Sequence, residues 1–198
     1  MGAPRLHIVD LDGAATGEIL NLEIIRNIAT AMLIPVQLGG GIRQMETVEG
    51  LLKAGIERVI LGTSAVEDPT FVAAACRRYS ESIIVGIDAR NGQLATHGWV
   101  KNTNFTAVEF AKSMMKIGVR RFIYTDIERD GTLTEPNFSA IAALIDAIGA
   151  PVIAAGGVSS LNHLKMLQKL GAEGAIVGKA LYTGAINLKQ ALAEIVNI

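Results

Sequence analysis

Two stretches of this chain carry one pattern at a spacing of 116 residues (151 − 35): Pro35-Val36-Gln37-Leu38-Gly39-Gly40-Gly41 and Pro151-Val152-Ile153-Ala154-Ala155-Gly156-Gly157. The same spacing sets Gly2 on Gly118, Asp10 on Asp126 and Asn21 on Asn137. It also sets Ala54-Gly55 on Leu170-Gly171 and Leu61-Gly62 on Val177-Gly178. Chance does not hold one offset over so many glycine and strand positions, so the chain reads as two similar halves, each built from the same supersecondary units.

What the units are follows from periodicity. Short β-branched runs fall at Arg5–Asp10, Pro35–Leu38, Arg58–Gly62, Ile83–Asp88, Arg121–Thr125, Pro151–Ala155 and Gly174–Gly178. Helical patterns lie between and after them, at Leu22–Ala31, Gln44–Ala54, Pro69–Tyr79, Thr106–Ile117, Phe138–Ile148, Ser160–Lys169 and Leu188–Val196. Asp68 before Pro69 is a helix start with proline at the first helical position. Gly55, Gly118 and Gly171 stand where a left-handed stop is needed. The strands are nearly continuous apolar runs, such as Ile83-Ile84-Val85-Gly86-Ile87, the pattern of a parallel sheet covered on both faces. Strict alternation of strand and helix implies right-handed crossovers and an α/β fold.

The count of units is uneven. The half spanning 80–198 opens with the Asp88 strand and its helix. The half spanning 1–79 has no counterpart, because the offset carries Asp88 to a position before Met1. The expectation is a single domain of the TIM (β/α)8 type with seven βα units present and the first strand and helix missing. One more unit of roughly 30–40 residues would bring it near the ~250 residues usual for such barrels. Open sheet edges then predict a possible homo-oligomer, since unpaired edges template association.

Charge and composition narrow the partners. With 18 basic and 19 acidic side chains in 198 residues the net charge is −1, and no basic stripe points to nucleic acid. Neither a signal peptide nor an apolar run long enough for a bilayer is visible, so a cytoplasmic location is expected. Cys76, the one cysteine, sits in an apolar run and reads as a small core residue. His7, His97 and His163 are far apart and show no ligand spacing, so no metal site is expected.

Chemistry concentrates at the carboxyl ends of the strands, the face that carries function in a parallel barrel. Four loops stand there: Gly39-Gly40-Gly41, Gly62-Thr63-Ser64, Gly156-Gly157 with Ser159, and Gly178-Lys179. Glycine lets backbone N–H groups approach a phosphate, and a following helix adds its positive end. Tight strand-to-helix turns would use the same glycines. Repetition at one offset favours two phosphate sites across one mouth, hence a small substrate phosphorylated at both ends. Asp10, Asp88 and Asp126 sit at strand ends, with Asp12 and Asp130 in the loops. Asp88 reads as a proton-transfer group with Thr125 ending a later strand; a helix cap is the other reading. Trp99, the single tryptophan, has two open roles, a small tertiary cluster or stacking on a flat heterocycle.

Taken together, Val9-Asp10-Leu11-Asp12-Gly13-Ala14, Leu38-Gly39-Gly40-Gly41-Ile42-Arg43, Gly86-Ile87-Asp88-Ala89-Arg90, Tyr124-Thr125-Asp126-Ile127, Arg129-Asp130-Gly131-Thr132-Leu133 and Ala155-Gly156-Gly157-Val158-Ser159-Ser160 resemble the ProFAR isomerase (HisA) family of histidine biosynthesis. The resemblance covers essentially the whole chain. It implies an aldose–ketose isomerase, formally an intramolecular oxidoreductase, that performs an Amadori rearrangement with no metal and no redox cofactor. It implies Asp88 as the acid, with Thr125 beside it and Asp130 sharing the acid role. Substrate and phosphate contacts are expected from Asp10, Gly40, Gly41, Gly62, Thr63, Trp99, Asp126, Gly156, Gly157, Ser159, Gly178 and Lys179. The family's base is an aspartate ending the first strand, and no residue here matches it. An inactive phosphate-binding fragment that self-associates, and a relative that also isomerises phosphoribosyl anthranilate, stand as alternatives.

Overall fold

A computed structural model of the chain describes residues 2–90, 92–96 and 101–195. In chain order the elements are β1 (Leu6–Val9), α1 (Leu11–Thr16), α2 (Leu22–Ala31), β2 (Val36–Gly39), α3 (Met45–Lys53), β3 (Arg58–Leu61), α4 (Thr63–Glu67) and α5 (Pro69–Tyr79). There follow β4 (Ile83–Arg90), β5 (Gln93–Thr96), β6 (Lys101–Thr106), α6 (Ala107–Lys116), β7 (Phe122–Asp126) and α7 (Phe138–Ile148). The chain continues through β8 (Val152–Ala155), α8 (Leu161–Lys169), β9 (Gly174–Ala175), α9 (Lys179–Tyr182) and α10 (Leu188–Ile195). The strands run β1-β2-β3-β4-β7-β8-β9 in one sheet, every neighbouring pair parallel. An antiparallel ribbon, β5 and β6, extends from the end of β4.

Alternation along the strands splits the side chains between two cores. Leu38, Val59, Val85, Ile87, Phe122 and Val152 face the helices in the larger one. Ile84, Ile123, Ile153 and Ala155, with Ile60 and Ile176 against them, form a second cluster on the other face. A parallel sheet that is apolar on both faces, with helices between its strands, is the expected α/β fold of the TIM type. Cys76 lies buried in α5 and burial pushes its thiol up, as expected of a core cysteine.

Local chemistry sets the helix starts. Asp68 accepts from Phe71 N at 2.9 Å with Pro69 behind it, and Ser160 accepts from His163 N at 3.2 Å. Thr106 and Glu109 close a capping box on α6; each such cap contributes about 1 kcal/mol. Departures from expectation are local. The last strand is paired only over Gly174–Ala175, short of Gly178. The short helices α1, α4 and α9 occupy segments expected to be loops.

The 116-residue spacing recurs in the contacts. Arg5 pairs with Glu57 at 2.9 Å, and Arg121 with Glu173 at 2.7 Å, each joining the approaches to two strands at the base of the sheet. Among the described residues β1 pairs only with β2, and β9 only with β8, so the sheet has two open edges.

One interior group makes stability depend on pH. His7 on β1 lies opposite Gln37 on β2, and Gln37 Nε2 meets His7 Nδ1 at 3.0 Å. Burial pushes the imidazole down from 6.5 to about 4. Between those values the unfolded chain takes up a proton that the folded chain refuses. Stability therefore falls as pH drops from about 6.5 to 4, by about 3 kcal/mol in all. Urea melts of wild type and His7→Leu at pH 7, 5.5 and 4 check this: the variant loses the slope in that window, and equal slopes would refute the assignment.

Candidate functional site

The strand-end aspartates separate into two kinds. Asp10 is the N-cap of α1, accepting from Gly13 N at 2.9 Å, Leu20 N at 2.9 Å, Asn21 N at 3.1 Å and Asn21 Nδ2 at 2.8 Å. Burial pushes this carboxyl up, but the hydrogen bonds from Gly13, Asn21 and Leu20 outweigh it and hold it below its ordinary value. Asp126 repeats the arrangement, accepting from Glu128 N at 3.1 Å and Asn137 Nδ2 at 2.7 Å. Both carboxylates are buried and tie down the loops after their own strands. Asp88 is different. It lies inside β4, in register with Thr125 of β7, and Thr125 is in register with Ala155 of β8. Counting by twos from Ile84 and Ile123 puts Asp88 and Thr125 on the inner face, side by side on strands about 4.8 Å apart.

The glycine pairs have packing reasons of their own. A Cβ on Gly40 would sit 2.2 Å from Asp10 O, and one on Gly156 2.6 Å from Asp126 O. Gly41 and Gly157 would likewise strike the backbone of Glu18 and Glu135. Gly62 and Gly178 share one unusual conformation, φ −100 and ψ −99 against φ −103 and ψ −101, so the offset holds there too. Thr63 and Lys179 then open α4 and α9 at equivalent places.

In the second half these loops enclose space. A cavity of about 200 Å³ is lined by Asp130, Gly131, Leu133, Gly156, Gly157, Val158, Ile176, Gly178 and Lys179. The backbone N–H groups of Gly157 and Gly178 find no acceptor among the described residues. Lys179 Nζ crosses the cavity to donate to Gly131 O at 2.8 Å. Ser159 Oγ donates to Thr134 O at 3.1 Å, and Ser159 N donates to His163 Nδ1 at 3.3 Å. Cation, backbone donors and a carboxylate thus meet in one pocket fit for a small anion and the group attached to it.

The structure therefore brings the expected residues into two neighbouring sets. Asp88 and Thr125 stand on adjacent inner strand faces. Asp130, Gly156, Gly157, Gly178 and Lys179 line the cavity that begins one residue past Ala155. Gly40, Gly41, Gly62 and Thr63 belong to the first half's loops. Trp99 and His97 lie outside the described residues. Sequence reasoning missed His163, which supports Ser159 from one turn along α8; a serine followed four residues later by histidine was the available signal. It also missed Leu133, which holds φ 61, a conformation unusual for a side chain of that size.

Comparison with known proteins fits this architecture. The family model described as histidine biosynthesis protein matches residues 1–187. A protein of Dehalococcoides mccartyi (strain CBDB1), named 1-(5-phosphoribosyl)-5-((5-phosphoribosylamino)methylideneamino)imidazole-4-carboxamide isomerase, is 64% identical over 195 residues, covering 98% of this chain and 80% of its own length. Proteins of the same name from Roseiflexus castenholzii and Thermoanaerobacter pseudethanolicus are 53% and 52% identical over 192 residues, each covering 97% of this chain and 81% of its own length.

Proposed function

We propose that this chain, which belongs to the histidine biosynthesis protein family, catalyses the isomerisation for which its relatives are named. The reaction is an Amadori rearrangement: a ribosylamine carrying an imidazole carboxamide ribotide passes from aminoaldose to aminoketose. The observation that carries the reading is the placement of Asp88 and Thr125 as register partners on the inner face, next to a cavity holding Lys179, Asp130 and glycine N–H groups.

The cavity at Gly156, Gly157, Gly178 and Lys179, with Ser159 in the loop just beyond its wall, takes one phosphate of the substrate, and the equivalent loops at Gly40, Gly41, Gly62 and Thr63 take the other. The chain acts as one domain with two related halves, 1–79 and 80–198, in the cytoplasm. Asp88, with Asp130, protonates the ring oxygen, the furanose opens, and the lone pair on the exocyclic nitrogen forms the Schiff base. Loss of the C2 proton then gives the enol, which tautomerises to the ketose. Thr125 hydrogen-bonds the opened sugar. Asp10 and Asp126 hold the loops that carry these contacts.

We place the base that removes the C2 proton on a further strand–helix unit filling the sheet between β1 and β9. Those two edges are also where copies of the chain associate when that place is not filled. Light scattering across a dilution series should show mass rising with concentration, and a single monomeric mass throughout would count against association. The activity is tested by following aminoketose formation from the named ribotide, with and without a peptide supplying a strand–helix unit of the family. Turnover that is raised by the peptide supports the reading. No turnover and no substrate binding in either arm would overturn it.

A further inference from the structure

We propose that the Asp130-Gly131 peptide is a site of spontaneous isomerisation to isoaspartate, a modification that displaces a carboxylate of the cavity as the protein ages. An aspartyl–glycyl pair carries its reactants side by side: the side-chain carboxyl carbon and the next main-chain nitrogen, which can attack it. Glycine leaves that nitrogen unhindered, because it has no Cβ. The chain has two such pairs, Asp12-Gly13 and Asp130-Gly131. The fold treats them in opposite ways.

Asp12-Gly13 is locked. Gly13 is buried inside α1, and its N–H donates to Asp10 Oδ1 at 2.9 Å. Asp12 Oδ2 accepts from Asn21 Nδ2 at 3.0 Å. A Cβ on Gly13 would stand 2.9 Å from Asp10 Cγ and 2.9 Å from Glu18 O, so no space is left around it. Carboxyl and nitrogen meet there only if α1 opens. Asp130 and Gly131 are both exposed, and among the described residues neither the Asp130 carboxylate nor the Gly131 N–H has a hydrogen-bond partner. A Cβ on Gly131 would meet nothing within 4 Å, which leaves room for a ring to close. The bonds that do hold this pair, Asp130 N to Asp126 O at 3.1 Å and Lys179 Nζ to Gly131 O, engage atoms outside that ring.

The chemistry needs water alone. The Gly131 nitrogen attacks Cγ of the protonated Asp130 carboxyl, a C–N bond forms, and one carboxyl oxygen leaves as water with the proton from nitrogen. The product is a cyclic imide. Water then adds to either imide carbonyl. Attack at Cγ breaks the new C–N bond and restores aspartate. Attack at the main-chain carbonyl breaks the old peptide bond and leaves the chain running through Cβ and Cγ. The main chain is then one carbon longer and the free carboxylate hangs directly on Cα. Asp130 lines the cavity, so its carboxylate is drawn back from the place it held there. The cost to catalysis rests on the acid role proposed above for Asp130; the modification itself does not.

The full folded chain, kept for weeks near neutral pH and then digested, is mapped by mass spectrometry with fragmentation that separates isoaspartate from aspartate. Peptides spanning 9–16 and 127–134 give the reactivity of each pair without the fold. The peptides should isomerise at similar rates. In the folded chain Asp130 should exceed Asp12 by at least about tenfold, because reaction at Asp12 waits on local opening of α1. Asp130→Glu should give no isomer at that position, since its longer side chain must close a larger ring. Asn91-Gly92 reaches isoaspartate by losing ammonia, and the resulting gain in mass sets it apart. Equal accumulation at the two pairs of the folded chain, or none at Asp130, would overturn the proposal. Turnover should fall in step with isoaspartate at Asp130. Isomer there with full turnover would overturn the acid role of Asp130 and leave the modification site standing.

Discussion

Replacing Asp88 by asparagine should lower isomerase turnover by about 10²–10⁴-fold, the usual contribution of a positioned general acid, while substrate affinity and stability change little. The substitution keeps the size and most of the hydrogen-bonding capacity of the side chain but removes the acidic proton. The helix-cap reading of Asp88 needs a helix to begin at it, as α1 begins at Asp10. Asp88 instead lies in the eight-residue strand β4, which runs on to Arg90 and into the β5–β6 ribbon, so no helix begins at it. Its neighbour in register is a hydroxyl, Thr125. Steady-state rates and calorimetric substrate binding, taken together, check the prediction. A variant with unchanged kcat would sink the assignment, and one that loses binding and rate together would make Asp88 a binding group.

Much of this arrangement was legible in the sequence, because its signals are local or repeated. Leu22–Ala31, Pro69–Tyr79 and Phe138–Ile148 form helices with the expected bounds, since the apolar period runs their length and, for the last two, Asp68 and Asn137 cap the start. The internal spacing was readable because glycines that meet backbone cannot change, and so keep the offset visible. Short helices were not readable. The α1 segment has six residues, with Gly13 inside it, and begins one residue past β1, too little for a period to register. The two kinds of strand-end aspartate look alike in sequence. Only the structure shows that Asp10 and Asp126 spend their oxygens on their own loops. Lys179 and Gly131 are 48 residues apart, and no pattern within one element announces a bond across two loops.

Gly40→Ala and Gly156→Ala should each cost about 2–5 kcal/mol of stability, and this outcome decides why the glycine pairs are there. Two costs combine at each site. A residue with a Cβ held at φ 101 or φ 89 loses about 1–2 kcal/mol to backbone strain. The new carbon would also stand 2.2 Å from Asp10 O in one case and 2.6 Å from Asp126 O in the other, against backbone that cannot rotate away. Forcing such an atom into packed surroundings costs a further 1–3 kcal/mol or so. Gly149 supplies the control. It has φ 59 at the end of α7, and a Cβ there would meet nothing within 4 Å, so Gly149→Ala should cost only the strain, about 1 kcal/mol. Urea melts of the three variants compare them directly. If Gly40→Ala cost no more than Gly149→Ala, the close approach to Asp10 would not constrain the site, and the paired glycines would need the phosphate to explain them. With the larger cost observed, packing against the strand ends is sufficient reason for Gly40 and Gly156. The phosphate reading then stands on what packing does not require: the Lys179 ammonium and the N–H groups of Gly157 and Gly178, which find no acceptor among the described residues.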